Sequence, residues 1–311
     1  MFESFVKFIV QKFIPEGHLF DAVSFFIYDV IKISLLMIII ILIVSIIRTY
    51  LPPAKIKKIL SHKNSILGNI SASLLGIITP FCTCSAIPLF LGFLEAGVPL
   101  GVTFSFLVAS PMINEIAIVL LLGTFGWKIA LLYVVSGLFI AIISGLIIGK
   151  MNVENLINED FATRKISDPI VYKSFKERAI YAKEYAFSIY KKVLPYLLIG
   201  IGLGAFMHGY VPADFLSKYI GEGNWLAVPL AVLFGVPLYS NAAGVIPLIS
   251  VLTEKGVAIG TSLAFMMAVV GLSLPEFMIL KRIMKPKLII IFASIVAAGI
   301  ILIGYLFNAI I

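Results

Sequence analysis

Apolar residues in this chain come in long runs, not in the one-sided patterns of helices on soluble proteins. Residues 33–47, ISLLMIIIILIVSII, contain no charge, and residues 116–122, 129–149 and 288–307 are almost as apolar. A helix of about 20 such residues, at about 1.5 Å per residue, crosses the roughly 30 Å hydrocarbon core of a bilayer. The pattern therefore predicts an all-α integral membrane protein with several spans.

The same pattern occurs twice along the chain. The motif Glu-Ala-Gly-Val-Pro-Leu-Gly at 95–101 returns, 159 positions later, as Glu-Lys-Gly-Val-Ala-Ile-Gly at 254–260. Glu115 and Glu276 are separated by 161 positions and are interpreted as a matched pair. A duplication explains so small a drift in spacing, and many transporters are built from repeats.

Each copy contains a long span, two short apolar segments and two further long spans. The short segments are too short to cross a bilayer, and a polar stretch with a proline separates the two members of each pair. We therefore expect each pair to form a re-entrant helical hairpin, with its tip at 80–85 in the first copy and at 237–242 in the second. The predicted segments are 27–49, 66–79, 86–94, 98–122 and 128–149, then 189–209, 225–236, 244–253, 257–280 and 287–308.

Positive charge in the loops predicts that the second copy is inverted relative to the first. Loop 48–63 has five basic residues and no acidic one, whereas its counterpart 208–223 has one lysine and two acidic residues. The turn 281–287 has four basic residues, and its counterpart 123–128 has one. Cytoplasmic loops carry the excess of Lys and Arg, so 48–63, 281–287 and the basic linker 150–188 are expected inside. Three full spans and one hairpin per copy satisfy this pattern and place both termini outside.

These features divide the chain into four units. They are an amphipathic N-terminal interfacial segment at 1–26, a first transmembrane repeat at 27–149, the cytoplasmic linker at 150–188 and an inverted second repeat at 189–311. A composition of 61% hydrophobic and 13% charged residues is far too apolar for a soluble chain. The net charge of +8 lies in loops, where it sets topology, so nucleic acid is not an expected partner.

The two cysteines of the chain, Cys82 and Cys84, lie on the predicted tip of the first hairpin. Thiols one residue apart can hold a soft species such as As(III), Sb(III), Cu(I) or Zn(II), or can react with a sulfur compound. The alternative is that two small residues fit a tight helix break. The second tip has Ser240 and Asn241 and no cysteine, so a thiolate site would be one-sided.

Two carboxylates, Glu115 and Glu276, lie within apolar segments next to predicted helix breaks. Ser110 and Asn114 precede the first, and Ser273 precedes the second. A carboxylate at membrane depth is costly and usually faces a cavity or a partner, so an ion or proton site is expected here. The alternative is a structural role in which the carboxylates bond to main-chain groups that the breaks leave free.

Two stretches of the chain resemble the motifs of a family of predicted permeases that includes organoarsenical efflux permeases. They are Pro-Phe-Cys-Thr-Cys-Ser at 80–85, followed by Pro88-Leu89, and Ser-Pro-Met-Ile-Asn-Glu at 110–115. The resemblance covers the whole chain and its two-halved layout, and it implies a permease of the inner or cell membrane. In the arsenical branch it implies export of trivalent organoarsenicals, with the cysteine pair as the suspected ligand. Family members also occur in other sulfur and metalloid contexts, so the substrate does not transfer.

The sequence therefore predicts a secondary transporter of the cytoplasmic membrane that moves a small soft or thiol-reactive solute by alternating access. Its expected partners are that solute, the lipid bilayer and a coupling ion such as the proton, with a homo-oligomer as an open option. No cofactor is expected, because no nucleotide-binding, haem or metalloprotease motif occurs. A membrane thiol–disulfide enzyme and a channel stay open as alternatives. The residues expected to line the substrate site are Cys82, Thr83, Cys84, Ser85, Ser110, Asn114, Glu115, Ser240, Asn241, Ser273 and Glu276, with Cys82 and Cys84 as the ligands of a soft metalloid.

Overall fold

In a computed structural model the chain folds into α-helices. The structure describes residues 2–12, 14–15, 17–50, 65–79, 83–158, 175–210, 224–238 and 242–311. Every regular element in these ranges is a helix, and one isolated antiparallel bridge joins Ile157 to Met284. The prediction of an all-α chain is confirmed.

After a short N-terminal helix, α1 (Phe2–Gln11), the α-helices of the described residues form two sets of six in which long and short helices follow in the same order. The first set is α2 (His18–Tyr50), α3 (Ser65–Ile78), α4 (Thr83–Glu95), α5 (Leu100–Met112), α6 (Glu115–Phe125) and α7 (Trp127–Lys150). The second set is α8 (Phe175–Tyr210), α9 (Ala227–Gly235), α10 (Ala242–Glu254), α11 (Ile259–Gly271), α12 (Leu274–Ile283) and α13 (Pro286–Ile310). We call α2 to α7 the first half and α8 to α13 the second half.

Local sequence explains where several of these helices begin and end. Apolar runs form helices in lipid because a helix satisfies its main-chain polar groups without water. Gly97 and Gly256 follow α4 and α10 with φ angles of 72° and 83°, a conformation that glycine adopts without strain. Pro286 begins α13, where its missing N–H would have had no partner inside the helix.

The corresponding helices of the two halves have the same neighbours. In the first half α3, α5 and α7 contact one another and α4 packs on α5, and in the second half α9, α11 and α13 contact one another and α10 packs on α11. Corresponding helices also touch across the halves, α2 with α8, α5 with α11 and α7 with α13. One hydrophobic core therefore runs through both halves.

A polar contact holds together a tight helix crossing in the first half. A Cβ added to Gly145 of α7 would strike Ser105 Oγ of α5 and would lie 2.5 Å from Asn69 Oδ1 of α3, so only glycine fits there. The Ser105 hydroxyl has one proton to donate and two acceptors within reach, Asn69 Oδ1 at 2.7 Å and the main-chain oxygen of Ala141 at 2.9 Å. Three helices therefore meet at this point through a buried hydrogen bond.

An apolar contact takes the same place in the second half. A Cβ added to Gly304 of α13 would lie 2.6 Å from Val228 Cγ1 of α9 and 2.8 Å from Ala264 Cβ of α11. Each of these three residues lies 159 positions after its counterpart in the first crossing. Residues that take the same place in the two halves are therefore 159 positions apart in the sequence, which is also the spacing between the motif at 95–101 and its repeat.

The helices have the length and the outer surface of membrane spans. Among the described residues, α7 and α13 are each long and apolar enough to cross a bilayer, and so are the bent pairs α5–α6 and α11–α12 if each is one span. Leu131, Val135 and Phe139 of α7 are 54%, 56% and 57% exposed, and Leu302 of α13 is 69% exposed. A row of exposed apolar side chains suits lipid and not water. The chain is a multi-pass membrane protein.

Some observed helices begin or end at different residues from those predicted. α8 has 36 residues and unites the end of the linker 150–188 with the span 189–209. It continues across that boundary because the sequence has neither Gly nor Pro from Phe175 to Leu194. α4 begins at Thr83 and α10 at Ala242, so both short segments begin before the predicted residues 86 and 244.

The N-terminal helix α1, Phe2–Gln11, lies within the predicted interfacial segment 1–26. Val6 and Val10 are buried together with Phe20 of α2, whereas Phe8 is 67% exposed. One face of α1 therefore packs on α2, and another face presents apolar side chains to the outside.

Candidate functional site

A break, not a loop, joins the two helices α5 and α6 of the first half. Ile113 leaves the helical conformation with φ −117° and ψ 73°, and α6 continues at an angle of 44° to α5. Asn114 contacts both sides of this break, because its Oδ1 accepts a hydrogen bond from Ala117 N at 2.7 Å and its Nδ2 donates to Pro111 O at 3.2 Å. One uncharged side chain thus satisfies main-chain groups on both helices.

The second half has its break between α11 and α12, with an angle of 42°. Ser273 is the N-cap residue of α12, and Leu274 N donates to Val236 O, beside the end of α9, at 3.0 Å. Ser273 and Glu276 have the spacing of a capping box, in which each side chain bonds to the main-chain N–H of the other residue. In the described part of the chain these bonds are not made, and the Ser273 hydroxyl and both carboxylate oxygens of Glu276 are buried without a hydrogen-bond partner.

The two breaks touch each other. A Cβ added to Gly271, the last residue of α11, would lie 3.2 Å from Cγ of Met112, the last residue of α5. A Cβ added to Gly299 of α13 would lie 3.3 Å from Cγ1 of Ile140 of α7. In both contacts the partners are separated by 159 positions, so each residue touches its own counterpart.

Each break also lies beside the end of a short helix. A Cβ added to Gly76 of α3 would lie 3.0 Å from Ala109 Cβ of α5, and one added to Gly235 of α9 would lie 2.8 Å from Ala268 Cβ of α11. These glycines were not among the predicted site residues. The signal that identifies them is glycine recurring at the spacing of 159, because Gly235 lies 159 positions after Gly76.

The two carboxylates lie in different surroundings. Glu115 is the first residue of α6 and is exposed, whereas Glu276 is the third residue of α12 and is only 1% exposed. The N-cap residues Asn114 and Ser273 are 159 positions apart, so the counterpart of Glu276 is Ala117. The interpretation of the two glutamates as a matched pair, based on the spacing of 161, is therefore wrong.

Comparison with known proteins adds to this geometry. The family model of the ArsP-type predicted permeases matches residues 18–309. The chain belongs to this family. It is therefore a membrane permease and not an enzyme, and it has a small-molecule substrate. The resemblance stated from the sequence motifs is confirmed at the level of the family, and the thiol–disulfide enzyme is set aside.

Several curated proteins are similar to this permease over most of their length. A UPF0718 protein of Methanocaldococcus jannaschii is 25% identical over an alignment of 300 residues, and the match covers 75% of this chain and 81% of that protein. A putative two-component membrane permease complex subunit of Streptococcus mutans is 29% identical over 252 residues, covering 80% of this chain and 82% of that protein. The UPF0718 protein YraQ of Escherichia coli is 23% identical over 241 residues, covering 76% of this chain and 66% of that protein. No solved structure matches the permease.

The structure of the permease describes some of the other predicted site residues. Ser110 is buried in the last turn of α5. Thr83, Cys84 and Ser85 form the first turn of α4. The residues that lie outside the described part are Cys82, Ser240 and Asn241.

The metal site predicted at Cys82 and Cys84 stays a prediction. In the described ranges, which omit Cys82, no three His, Cys, Asp or Glu side chains gather in a way that could hold a metal ion. Among the described site residues, Glu276 is a buried carboxylate without a hydrogen-bond partner. Burial of such a group costs on the order of several kcal/mol. In membrane proteins such residues are usually functional.

Proposed function

We propose that the permease is a secondary transporter of the cell membrane that moves a small soft or thiol-reactive solute by alternating access. The contact of the two helix breaks at Met112 and Gly271 carries this proposal. Within lipid, an interrupted helix is tolerated only where it is buried in protein or lines a wet cavity. Two breaks in contact, each beside the end of a short helix, resemble the discontinuous helices at which transporters bind their solutes.

In this proposal the two halves are inverted repeats, each with three full spans and a re-entrant hairpin. The contacts of Met112 with Gly271 and of Ile140 with Gly299 support a twofold relation, because only residues near a twofold axis touch their own counterparts. The bridge between Ile157, shortly after α7, and Met284, shortly before α13, supports opposite directions for these two corresponding helices. An axis in the membrane plane would relate such helices.

The same bridge supports the proposed topology. Lys285 N donates to Leu156 O at 2.8 Å, and Asn158 N donates to Ile283 O at 2.9 Å. Both segments belong to basic stretches that the positive-inside rule assigns to the cytoplasm. A reporter fused after Ile311 tests the assignment. We expect a periplasmic or extracellular reporter to be active there, and activity of a cytoplasm-only reporter would overturn the topology.

The solute would bind at the first hairpin through Cys82 and Cys84. Cys84 lies in the first turn of α4, and a thiolate is the form of cysteine that binds soft metalloids. The second hairpin and the two breaks would complete the cavity. The remaining proposed lining residues are Thr83, Ser85, Ser110, Asn114, Glu115, Ser240, Asn241, Ser273 and Glu276.

Uptake of a trivalent phenylarsenical into everted membrane vesicles tests the proposal, with arsenite and thiosulfate as alternative solutes. We expect saturable uptake and counterflow with wild-type protein, whereas a channel would show no counterflow. Cys82→Ser with Cys84→Ser should abolish uptake at unchanged abundance in the membrane. Thr124→Ser, near the outer end of α6, serves as the control variant. Wild-type uptake by the double variant would remove the thiols from the mechanism.

A further inference from the structure

The unformed capping box at the start of α12 is the feature that the proposed function leaves unexplained. Glu276 is 1% exposed and Ser273 is 2% exposed, and three oxygens of these two side chains have no partner in the described residues. We propose that Glu276, with Ser273, is the binding site of the coupling proton, and that the break between α5 and α6 has no such site. This inference rests on the proposed secondary transport.

In the first half, main-chain groups on both sides of the helix break have hydrogen-bond partners. There Asn114 occupies the place of Ser273 and bonds to main-chain groups on both sides of the break, at 2.7 Å and 3.2 Å. Ala117 occupies the place of Glu276 and is fully buried. The same backbone geometry is thus stabilised without a charge in one half, so the buried carboxylate in the other half is not needed to form the break.

No described side chain neutralises Glu276. α12 packs against α4, α8 and α13, and the carboxylate makes no hydrogen bond with any of them. The acidic group described on α4 is Glu95, at the opposite end of that helix from the hairpin tip, and the half-buried titratable groups on α8 include Tyr181 and Tyr190. The exposed charged side chains described on α8, α12 and α13 are Lys176, Glu177, Lys183, Glu184, Lys191, Lys281, Arg282 and Lys287.

The number of available oxygens favours a proton over a metal cation. Calcium and magnesium take about six or more oxygen ligands, whereas the unpartnered side-chain oxygens here number three. A proton needs one carboxylate oxygen. Protonation removes the charge of Glu276 in its buried surroundings, and release of the proton restores the carboxylate.

The position of Glu276 connects the proton to the moving parts of a transporter. Leu274, between Ser273 and Glu276 in the chain, donates its N–H to Val236 O, which leads into the predicted tip of the second hairpin. A change of charge on Glu276 therefore occurs two residues away from the contact between α12 and the segment that leads into that hairpin tip. Rearrangement at this contact would link proton binding to the side on which the cavity opens.

Infrared difference spectroscopy between acidic and alkaline pH tests the site without any solute. The sample is the purified full chain in lipid vesicles, and the readout is the carbonyl band of a protonated carboxylic acid. We expect the band in wild-type protein, its loss in Glu276→Gln and its retention in Glu254→Gln, whose exposed carboxylate lies at the end of α10. Ser273→Ala should shift the band, because it removes a buried polar group three residues before the acid.

Melting curves and size-exclusion profiles show whether the variants are folded. If Glu276→Gln does not fold, Glu276→Asp keeps an acid and moves it by one methylene, and its band must then shift. An unchanged band in Glu276→Gln or Glu276→Asp would overturn the assignment. So would a band that responds to sodium at constant pH in place of protons.

Transport of the phenylarsenical separates the failure of this inference from the failure of the proposed function. A pH gradient should drive accumulation of the solute by wild-type protein, and Glu276→Gln should lose this gradient-driven accumulation. Accumulation by Glu276→Gln equal to wild type would overturn the proton site and leave the transporter standing. If wild-type protein moves none of the tested solutes, the proposed function fails, and the infrared band alone decides the proton site.

Discussion

The helix contact at Gly145 is polar, and its counterpart at Gly304 is apolar. The pair allows a quantitative test of what determines stability at a buried contact between helices. Ser105→Ala removes the hydroxyl that lies 2.7 Å from Asn69 Oδ1 and leaves this buried oxygen without that donor. Interhelical hydrogen bonds in membrane proteins contribute about 0.6 kcal/mol on average and up to about 1.7. A buried acceptor left unsatisfied costs about 1–3 kcal/mol. We expect Ser105→Ala to lower the free energy of unfolding by about 1–2 kcal/mol.

The double variant Asn69→Val with Ser105→Ala installs the residues of the second half. Val228 and Ala264 pack against Gly304 in the same register, so the geometry accommodates this apolar pair. Asn69 Nδ2 also donates to Ser65 O, and Ser65 is exposed, so water can replace that bond. The double variant should therefore be within about 0.5 kcal/mol of wild type, and the coupling energy should be about 1–2 kcal/mol.

Equilibrium unfolding in mixed micelles with increasing dodecyl sulfate, followed by far-ultraviolet circular dichroism, measures the four free energies of the cycle. The double variant should unfold at nearly the wild-type detergent fraction, and Ser105→Ala should unfold earlier. If the double variant loses the sum of the two single effects, packing and not the orphaned oxygen determines the cost. The reasoning from the second half would then be refuted.

Three further predictions concern the crossing and the first break. Gly145→Ala should lower stability by about 1–3 kcal/mol in the same unfolding assay, because its Cβ would meet three neighbouring atoms, whereas Gly123→Ala, where nothing lies within 4 Å, should be neutral or stabilising. Asn114→Ala should cost about 0.5–2 kcal/mol, since Ala117 N loses its cap, and an unchanged unfolding midpoint would contradict this role. Tyr133→Phe removes a buried hydrogen bond of 2.7 Å to a main-chain oxygen of α5 and should cost about 1 kcal/mol, so a loss above about 3 would show a further role for the hydroxyl.

The family assignment and the helical class depend on features that are local in the sequence. Apolar runs of about 20 residues are longer than a soluble protein buries in one helix, so they indicate a membrane protein. In lipid such a run forms a helix, because a helix satisfies its own main-chain polar groups. The breaks near Asn114 and Ser273 were predicted as well, because Pro, Ser and Asn near the end of an apolar run interrupt a helix wherever the helix lies. The thiol pair and the two breaks can therefore be predicted from the sequence without knowledge of how the helices pack.

The register between the two halves depended on contacts distant in sequence. Motif matching allowed spacings from 159 to 161 and paired Glu115 with Glu276, because in an apolar background two glutamates are the most conspicuous match. The glycine contacts establish a spacing of 159 from α3 to α7 and from α9 to α13, since a shift of two residues would turn a helix by about half a turn and would place a side chain where only glycine fits.

That register separates two carboxylates that look alike in the sequence. Both glutamates follow a helix break within an apolar stretch, and a local pattern contains no information on which one faces its neighbours. Burial is a property of the helices packed around a residue, so only the tertiary structure decided that Glu115 is exposed and that Glu276 is enclosed. The sequence by itself determined a helical, multi-pass membrane permease and predicted its helix breaks. The packing of α12 determined which of its two acids is buried without a partner, because burial depends on contacts between residues far apart in the chain.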